Sequence, residues 1–175
     1  MNKKRLADLI TFSRIAFLPF LIMSELQGKY FQSLAIMLLI SVSDIIDGIV
    51  ARKGGNSSKN GQILDIAADF IVVFSIFLFW YLEQTISIYI LFLILFSFST
   101  FIYASILKRK IMKNKIGQYT GAICFAGIIL IFFSRLYFKE ICVNLQNIAF
   151  IIISIHLIIS IIENIWSLIK KGYSI

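Results

Sequence analysis

Four aspartates lie close together in a chain that is 59% hydrophobic: Asp44, Asp47, Asp65 and Asp69. A carboxylate near the middle of a membrane helix costs about 2.5–3.5 kcal/mol by insertion scales, so four of them need a shared positive partner. Oxygen ligands from two facing helices suit a hard divalent cation, Mg²⁺ or Mn²⁺. Because Mg²⁺ often holds substrate phosphates as well, the aspartates indicate phosphate chemistry at a membrane surface.

The spacing of these aspartates predicts one polar stripe on each of two helices. The first stripe has offsets of i, i+3, i+4 and i+7 and consists of Asp44, Asp47, Gly48 and Ala51. The second has offsets of i, i+4, i+7 and i+8 and consists of Gly61, Asp65, Ala68 and Asp69. The connecting segment RKGGNSSKN is short and polar, so the helices are expected to be antiparallel neighbours with facing stripes. For a single aspartate, capping a helix end or pairing with Arg52 or Lys59 remains the alternative.

Apolar segments predict six membrane-spanning helices in one domain that covers residues 1–175. Each segment approaches the roughly 20 residues that a bilayer-spanning helix needs. The predicted helices are 8–26, 31–51, 62–82, 86–107, 118–137 and 145–168. The expected fold class is therefore an all-α, polytopic integral membrane protein.

The distribution of basic residues predicts the orientation of these helices. The net charge of +8 comes from 17 Lys and Arg against 9 Asp and Glu, and the basic residues concentrate at both termini and in the 52–61 and 108–115 connections. Positively charged short loops stay in the cytoplasm, so both termini and the aspartates are expected on the cytoplasmic side of a bacterial cytoplasmic membrane. The excess charge fits anionic membrane lipids, and no nucleic-acid partner is predicted. Trp80 and Tyr81, at the opposite end of the third helix, are expected to anchor it at the membrane interface.

The aspartate stretch resembles the signature of the CDP-alcohol phosphatidyltransferase family, D-x2-D-G-x2-A-R-x8-G-x3-D-x3-D. The matching residues occupy every defined position at the family's spacing and are Asp44, Asp47, Gly48, Ala51, Arg52, Gly61, Asp65 and Asp69. The chain length and the six predicted helices agree with this family, so the resemblance extends over the whole chain.

This resemblance implies the transfer of a phosphatidyl group from CDP-diacylglycerol to a small polar alcohol, with release of CMP. It implies that the four aspartates of the motif ligate one or two divalent ions and that Asp69 is the general base for the acceptor hydroxyl. It further implies that Gly48, Ala51 and Gly61 border the cytidine diphosphate and that Arg52 steadies the acids or touches phosphate. Members of the family also resemble homodimers.

Two features bear on the acceptor alcohol. Residues 9–14, with Arg14 and the later Pro19, look like the L-T-x-x-R opening common in phosphatidylglycerophosphate synthases. Arg14 would bind substrate, or alternatively extend to the inner headgroups. The connection between the fourth and fifth predicted helices is basic and contains Lys108, Arg109, Lys110, Lys113 and Lys115. These residues either bind the acceptor phosphate or only set the membrane topology. Glycerol 3-phosphate is the first hypothesis, with serine and inositol phosphate as alternatives, since Ile116, Ile66 and Phe70 depart from the glycerophosphate pattern.

Two other classes of membrane protein remain as alternatives. Intramembrane prenyltransferases also use aspartate-rich motifs and Mg²⁺, but normally in longer chains with the motifs far apart. A non-enzymatic protein that binds divalent cations or lipid is the other, and CMP release that depends on CDP-lipid would exclude both. The single histidine, His156, is predicted to have a hydrogen-bonded packing role inside the last helix.

Overall fold

Over its described residues, the protein folds into a bundle of six α-helices, which confirms the predicted helices and their order. The computed structural model describes residues 3–53, 59–107, 119–138 and 141–172, with side chains described over 12–46, 63, 65–106, 119–138 and 141–169. The helices are α1 (Lys3–Leu26), α2 (Tyr30–Lys53), α3 (Lys59–Leu82), α4 (Ile88–Leu107), α5 (Thr120–Tyr137) and α6 (Cys142–Gly172). The aspartate stripes therefore lie wholly within α2 and α3.

Within the described parts of the chain, four of these helices are long and apolar enough to cross a membrane. Their apolar segments are Asp65–Leu82, Ile88–Ile106, Thr120–Tyr137 and Cys142–Ile169, and α2 contributes a shorter one at Tyr30–Ile46. Many large apolar side chains on the outside of the bundle are exposed, including Ile151, Ile155 and Ile162 along one side of α6. Lipid would cover such a surface at no cost, so the fold is compatible with an integral membrane protein.

Short connections make neighbouring helices antiparallel. After α1 the chain reverses through Gly28, whose φ is +68°, and the Lys29 amide donates to the Ser24 carbonyl at 2.9 Å.

Along α5 and α6, Gly127 lies against Ile153, where an added Cβ would come within 2.5 Å of Ile153 Cδ1. The missing side chain at Gly127 lets these two helices approach closely.

The core between the helices is apolar and is closed at one end by aromatic rings. Trp80 is fully buried, with ring centroids 5.3 Å from Phe77, 5.6 Å from Phe132 and 5.7 Å from Phe150. The edge-to-face arrangement of these rings is the favourable one for aromatic pairs. The prediction that Trp80 anchors α3 at the membrane interface was therefore wrong, because α5 and α6 enclose the indole.

Candidate active site

Three of the four predicted aspartates meet between α2 and α3. Asp44 lies on α2, while Asp65 and Asp69 lie one helical turn apart on α3. One oxygen from each carboxylate lies within 4.8 Å of the other two. These three residues, called here the acidic cluster, come together because α1 packs against both α2 and α3 over the described residues. The prediction of direct α2–α3 packing with facing stripes was wrong, since Arg14 of α1 lies among the acids.

The acidic cluster is open to its surroundings at the end of the bundle that carries the N-terminus. The exposed fractions of the side chains are 34% for Asp44, 39% for Asp65 and 24% for Asp69. Asp69 is thus the deepest of the three. A ligand arriving from the rim would meet Asp44 and Asp65 first and Asp69 last.

The other members of the motif belong to the same helices, but their side chains lie outside the described part. The backbone of α2 is helical through Asp47, Gly48, Ala51 and Arg52, and that of α3 through Gly61. Helical periodicity therefore puts Asp47 and Gly48 on the side of α2 that carries Asp44. The basic connection from Lys108 to Lys115 lies outside the described residues, so its relation to the site stays a prediction.

Arg14 of α1 forms ion pairs with all three acids of the cluster. Its side chain is fully buried, and its guanidinium donates from Nη1 to Asp44 Oδ1 at 2.8 Å and to Asp69, and from Nη2 to Asp65. The alternative that Arg14 extends to the headgroups was therefore wrong. Its role in binding the acceptor phosphate stays a prediction.

Sequence reasoning singled out Arg14 but did not pair it with the aspartates. The aspartates of the cluster lie 30 to 55 residues from Arg14 along the chain. A usable signal was present, because an intramembrane charge almost always finds a partner of opposite sign.

The acidic cluster has the ligands and the charge for a divalent cation. Mg²⁺ binds oxygens at about 2.0–2.1 Å, so oxygens on one ion lie up to about 4.2 Å apart, close to the spacing of the three acids. Carboxylates are also the ligand type that Mg²⁺ and Mn²⁺ prefer. Among the described side chains, a single guanidinium faces these three carboxylates, so a divalent cation would suit the charge of the ionised cluster. The residues present therefore fit a metal ion.

Among the described residues, a second arginine–carboxylate ion pair lies at the other end of the bundle and was not predicted. Arg135, in the last turn of α5, donates to Glu25 Oε2 at the end of α1, and its guanidinium lies 5.6 Å from the Trp80 ring centroid. The Glu25 side chain is 1% exposed. The sequence predicted that Arg135 lies near the connection after the fifth helix. No feature of the sequence indicated Glu25, 110 residues away, as its partner.

His156 has the packing role that was predicted for it. Its Nε2 lies 3.1 Å from Thr120 Oγ1, and that hydroxyl donates to Ser160 Oγ at 3.2 Å. These contacts join α5 to α6 with neutral groups. Among the described residues, His156 does not belong to the group of side chains that could hold a metal.

Comparison with known proteins agrees with this site. A relative from Aquifex aeolicus (strain VF5), named "CDP-diacylglycerol--glycerol-3-phosphate 3-phosphatidyltransferase", is 34% identical over 67 residues, and this alignment covers 38% of each chain. A family model described as CDP-alcohol phosphatidyltransferase matches residues 4–162, which include α1 to α5 almost completely and most of α6. The chain therefore belongs to the CDP-alcohol phosphatidyltransferase family.

Proposed function

We propose that the protein is a phospholipid-synthesising enzyme that transfers a phosphatidyl group from CDP-diacylglycerol to a small alcohol and releases CMP. The observation that carries this proposal is the convergence of Asp44, Asp65 and Asp69 at one end of an apolar bundle. Family membership over residues 4–162 supports the reaction class. An open acidic cluster beside a lipid-covered surface suits a substrate whose diphosphate is polar and whose acyl chains are not.

Within this reaction, the four aspartates of the motif would hold Mg²⁺ or Mn²⁺. The bound ion supplies positive charge to the diphosphate oxygens as CMP leaves. Gly48, Ala51 and Gly61 leave room for the cytidine diphosphate, and Arg52 steadies the acids or contacts phosphate.

Asp69 is the proposed general base. It is the least exposed carboxylate of the acidic cluster, and a base must lie within hydrogen-bond reach of the proton that it accepts. The acceptor oxygen forms a bond to the β-phosphorus while its proton passes to Asp69. The bond between that phosphorus and the CMP oxygen breaks.

Glycerol 3-phosphate is the proposed acceptor. The relative from Aquifex aeolicus supports it by name, and five basic residues between Lys108 and Lys115 could bind the acceptor phosphate together with Arg14. Serine and inositol phosphate are the other acceptors to be tested.

The proposed setting is a bacterial cytoplasmic membrane. All six helices would cross it as a single domain, with both termini and the acidic cluster on the cytoplasmic side, as the basic connections predict. Membrane lipids would surround the bundle, and a homodimer is the assembly that the family suggests.

Product identification tests the proposal. The purified protein is incubated with CDP-diacylglycerol, Mg²⁺ and either glycerol 3-phosphate, serine or inositol phosphate, and the lipids are analysed by mass spectrometry. We expect CMP and phosphatidylglycerophosphate, and loss of both in excess EDTA. A serine or inositol phosphate product would replace the acceptor, whereas no lipid-dependent CMP release with any acceptor would overturn the activity.

A further inference from the structure

Arg14 contacts the same three carboxylates that would ligate a bound cation. Its guanidinium contacts all three carboxylates of the acidic cluster, including Asp44 Oδ1 at 2.8 Å. Oxygens of these same carboxylates form the group that could hold a metal. Because the guanidinium of Arg14 is fully buried, a divalent cation within a few ångströms of it would be repelled strongly.

We propose that Arg14 is the resident counter-ion of the metal site, and that its guanidinium and the divalent cation compete for the carboxylates of Asp44, Asp65 and Asp69. This inference rests on the proposed function, because it assumes that the acidic cluster binds a metal. Without metal, Arg14 stabilises the acids. When the metal binds, the guanidinium must give up its contacts with them.

The accessibility of the groups supports this exchange. Arg14 is fully buried and approaches the acids from inside the bundle, whereas the acids themselves are 24–39% exposed. A cation can therefore reach the carboxylates from the rim without first passing the guanidinium. The two positive groups would therefore approach the same carboxylates from different sides.

Helix α1 also has a weak point next to Arg14. Pro19 lies inside the helix, five residues after Arg14. A proline has no amide hydrogen, so the carbonyl of Ile15 cannot receive its usual helical bond. The turn that follows Arg14 is therefore easier to deform than a regular helical turn, which allows the guanidinium to withdraw.

The competition predicts the effect of removing the charge. In Arg14→Gln the carboxylates repel one another without a guanidinium to offset them, so the metal-free protein is less stable and the cation binds more tightly. Coupling between two ligands of one site commonly changes affinity five- to 150-fold, so we expect Mn²⁺ to bind at least about fivefold more tightly. Arg14→Lys keeps a charge but loses the planar fork, so we expect a smaller gain of about twofold or more.

The test measures Mn²⁺ binding to the full chain in lipid nanodiscs by the EPR signal of free Mn²⁺, and thermal unfolding in EDTA and in Mn²⁺. Arg135→Gln is the matched control, because among the described residues it removes the other arginine that pairs with a carboxylate. We expect Arg14→Gln to lose more stability in EDTA than in Mn²⁺. Arg135→Gln should lose the same amount in both and keep the wild-type Mn²⁺ affinity within twofold.

The outcomes separate this inference from the proposed function. Unchanged or weaker Mn²⁺ binding by Arg14→Gln and Arg14→Lys, with wild-type CMP release intact, overturns the counter-ion role and leaves the activity standing. Recovery of folded Arg14→Gln only when Mn²⁺ is present during purification supports the role. If the wild type binds no Mn²⁺ and releases no CMP, both are overturned.

Discussion

Two clusters of arginine and carboxylate lie at opposite ends of the bundle. Arg14 with the acidic cluster is called here the chemical end, and Arg135 with Glu25 is called the structural end. Arg14 and Glu25 both lie on α1, and Asp69 and Trp80 both lie on α3, each pair 11 residues apart. At a rise of 1.5 Å per residue, the two clusters are therefore about 16 Å apart along the same two helices. The same scaffold thus presents two arginine sites that differ in their local surroundings.

The two sites differ in charge balance and in exposure. Arg135 faces one carboxylate, whose side chain is 1% exposed, and it also lies over Trp80. Arg14 faces three carboxylates, each at least 24% exposed. A one-to-one pair with a buried carboxylate is suited to holding helices together. An open cluster in which several carboxylates face one guanidinium retains the capacity to bind a cation.

The largest difference between the ends should appear in activity. Asp69→Asn removes the proposed proton acceptor, and general bases commonly contribute 10²- to 10⁴-fold to a rate. We therefore expect CMP release to fall by about 10²- to 10⁴-fold. Glu25→Gln, at the structural end, is the control and should release CMP within about twofold of the wild type when folded. Turnover of Asp69→Asn at the wild-type rate would remove the base assignment.

The next largest difference should appear in stability. Arg135→Gln leaves Glu25 buried without its cation, and breaking a buried pair from one side typically costs about 3–5 kcal/mol. Unfolding of the purified protein by heat or denaturant measures the loss. The double variant Arg135→Gln/Glu25→Gln should recover part of it, because no charge is then left unpaired. If the double variant lost as much free energy of unfolding as the two single variants together, Arg135 and Glu25 would not stabilise the bundle as a pair.

Neutralising an acid at the chemical end should have a smaller effect on stability. In EDTA, Asp65→Asn reduces the repulsion among three carboxylates while its side chain can still accept from Arg14 Nη2. We expect the free energy of unfolding to change by less than about 1 kcal/mol, compared with the larger loss for Arg135→Gln. Mn²⁺ affinity should fall in the same variant. A stability loss as large as that of Arg135→Gln would show that both ends are structural.

A neutral contact between α5 and α6 provides the smallest expected effect. Thr120→Val removes the hydroxyl that contacts His156 and Ser160. Hydrogen bonds between membrane helices average about 0.6 kcal/mol in double-mutant cycles, so we expect a loss of about that size. CMP release should stay within twofold of the wild type. A tenfold loss of activity would extend the chemical end to α6.

Much of the local structure followed from the sequence. The six helices lie within several residues of their predicted bounds, because long apolar runs separated by polar connections have few other ways to satisfy their backbone groups. The polar stripes that carry Asp44 on α2 and Asp65 and Asp69 on α3 followed from helical periodicity, but the packing of α1 against both helices did not. Family membership agreed with the motif, since its spacing is a property of the chain itself.

The partners of the charged groups did not follow from the sequence. Trp80 was expected at the membrane interface and lies in the core, since α5 and α6 close over that end of α3. Arg135 and Glu25 are 110 residues apart, a separation at which no local pattern predicts contact.

The sequence by itself determined the six helices, the order of the motif and the face of each helix on which its acids lie, because these depend on periodicity within short segments. Only the tertiary structure decided that Arg14 lies among the acids and that Arg135 pairs with Glu25. The physical reason is that the partner of a buried charge is chosen by how helices pack. That packing depends on the shapes of all the apolar faces together, and no single segment carries it.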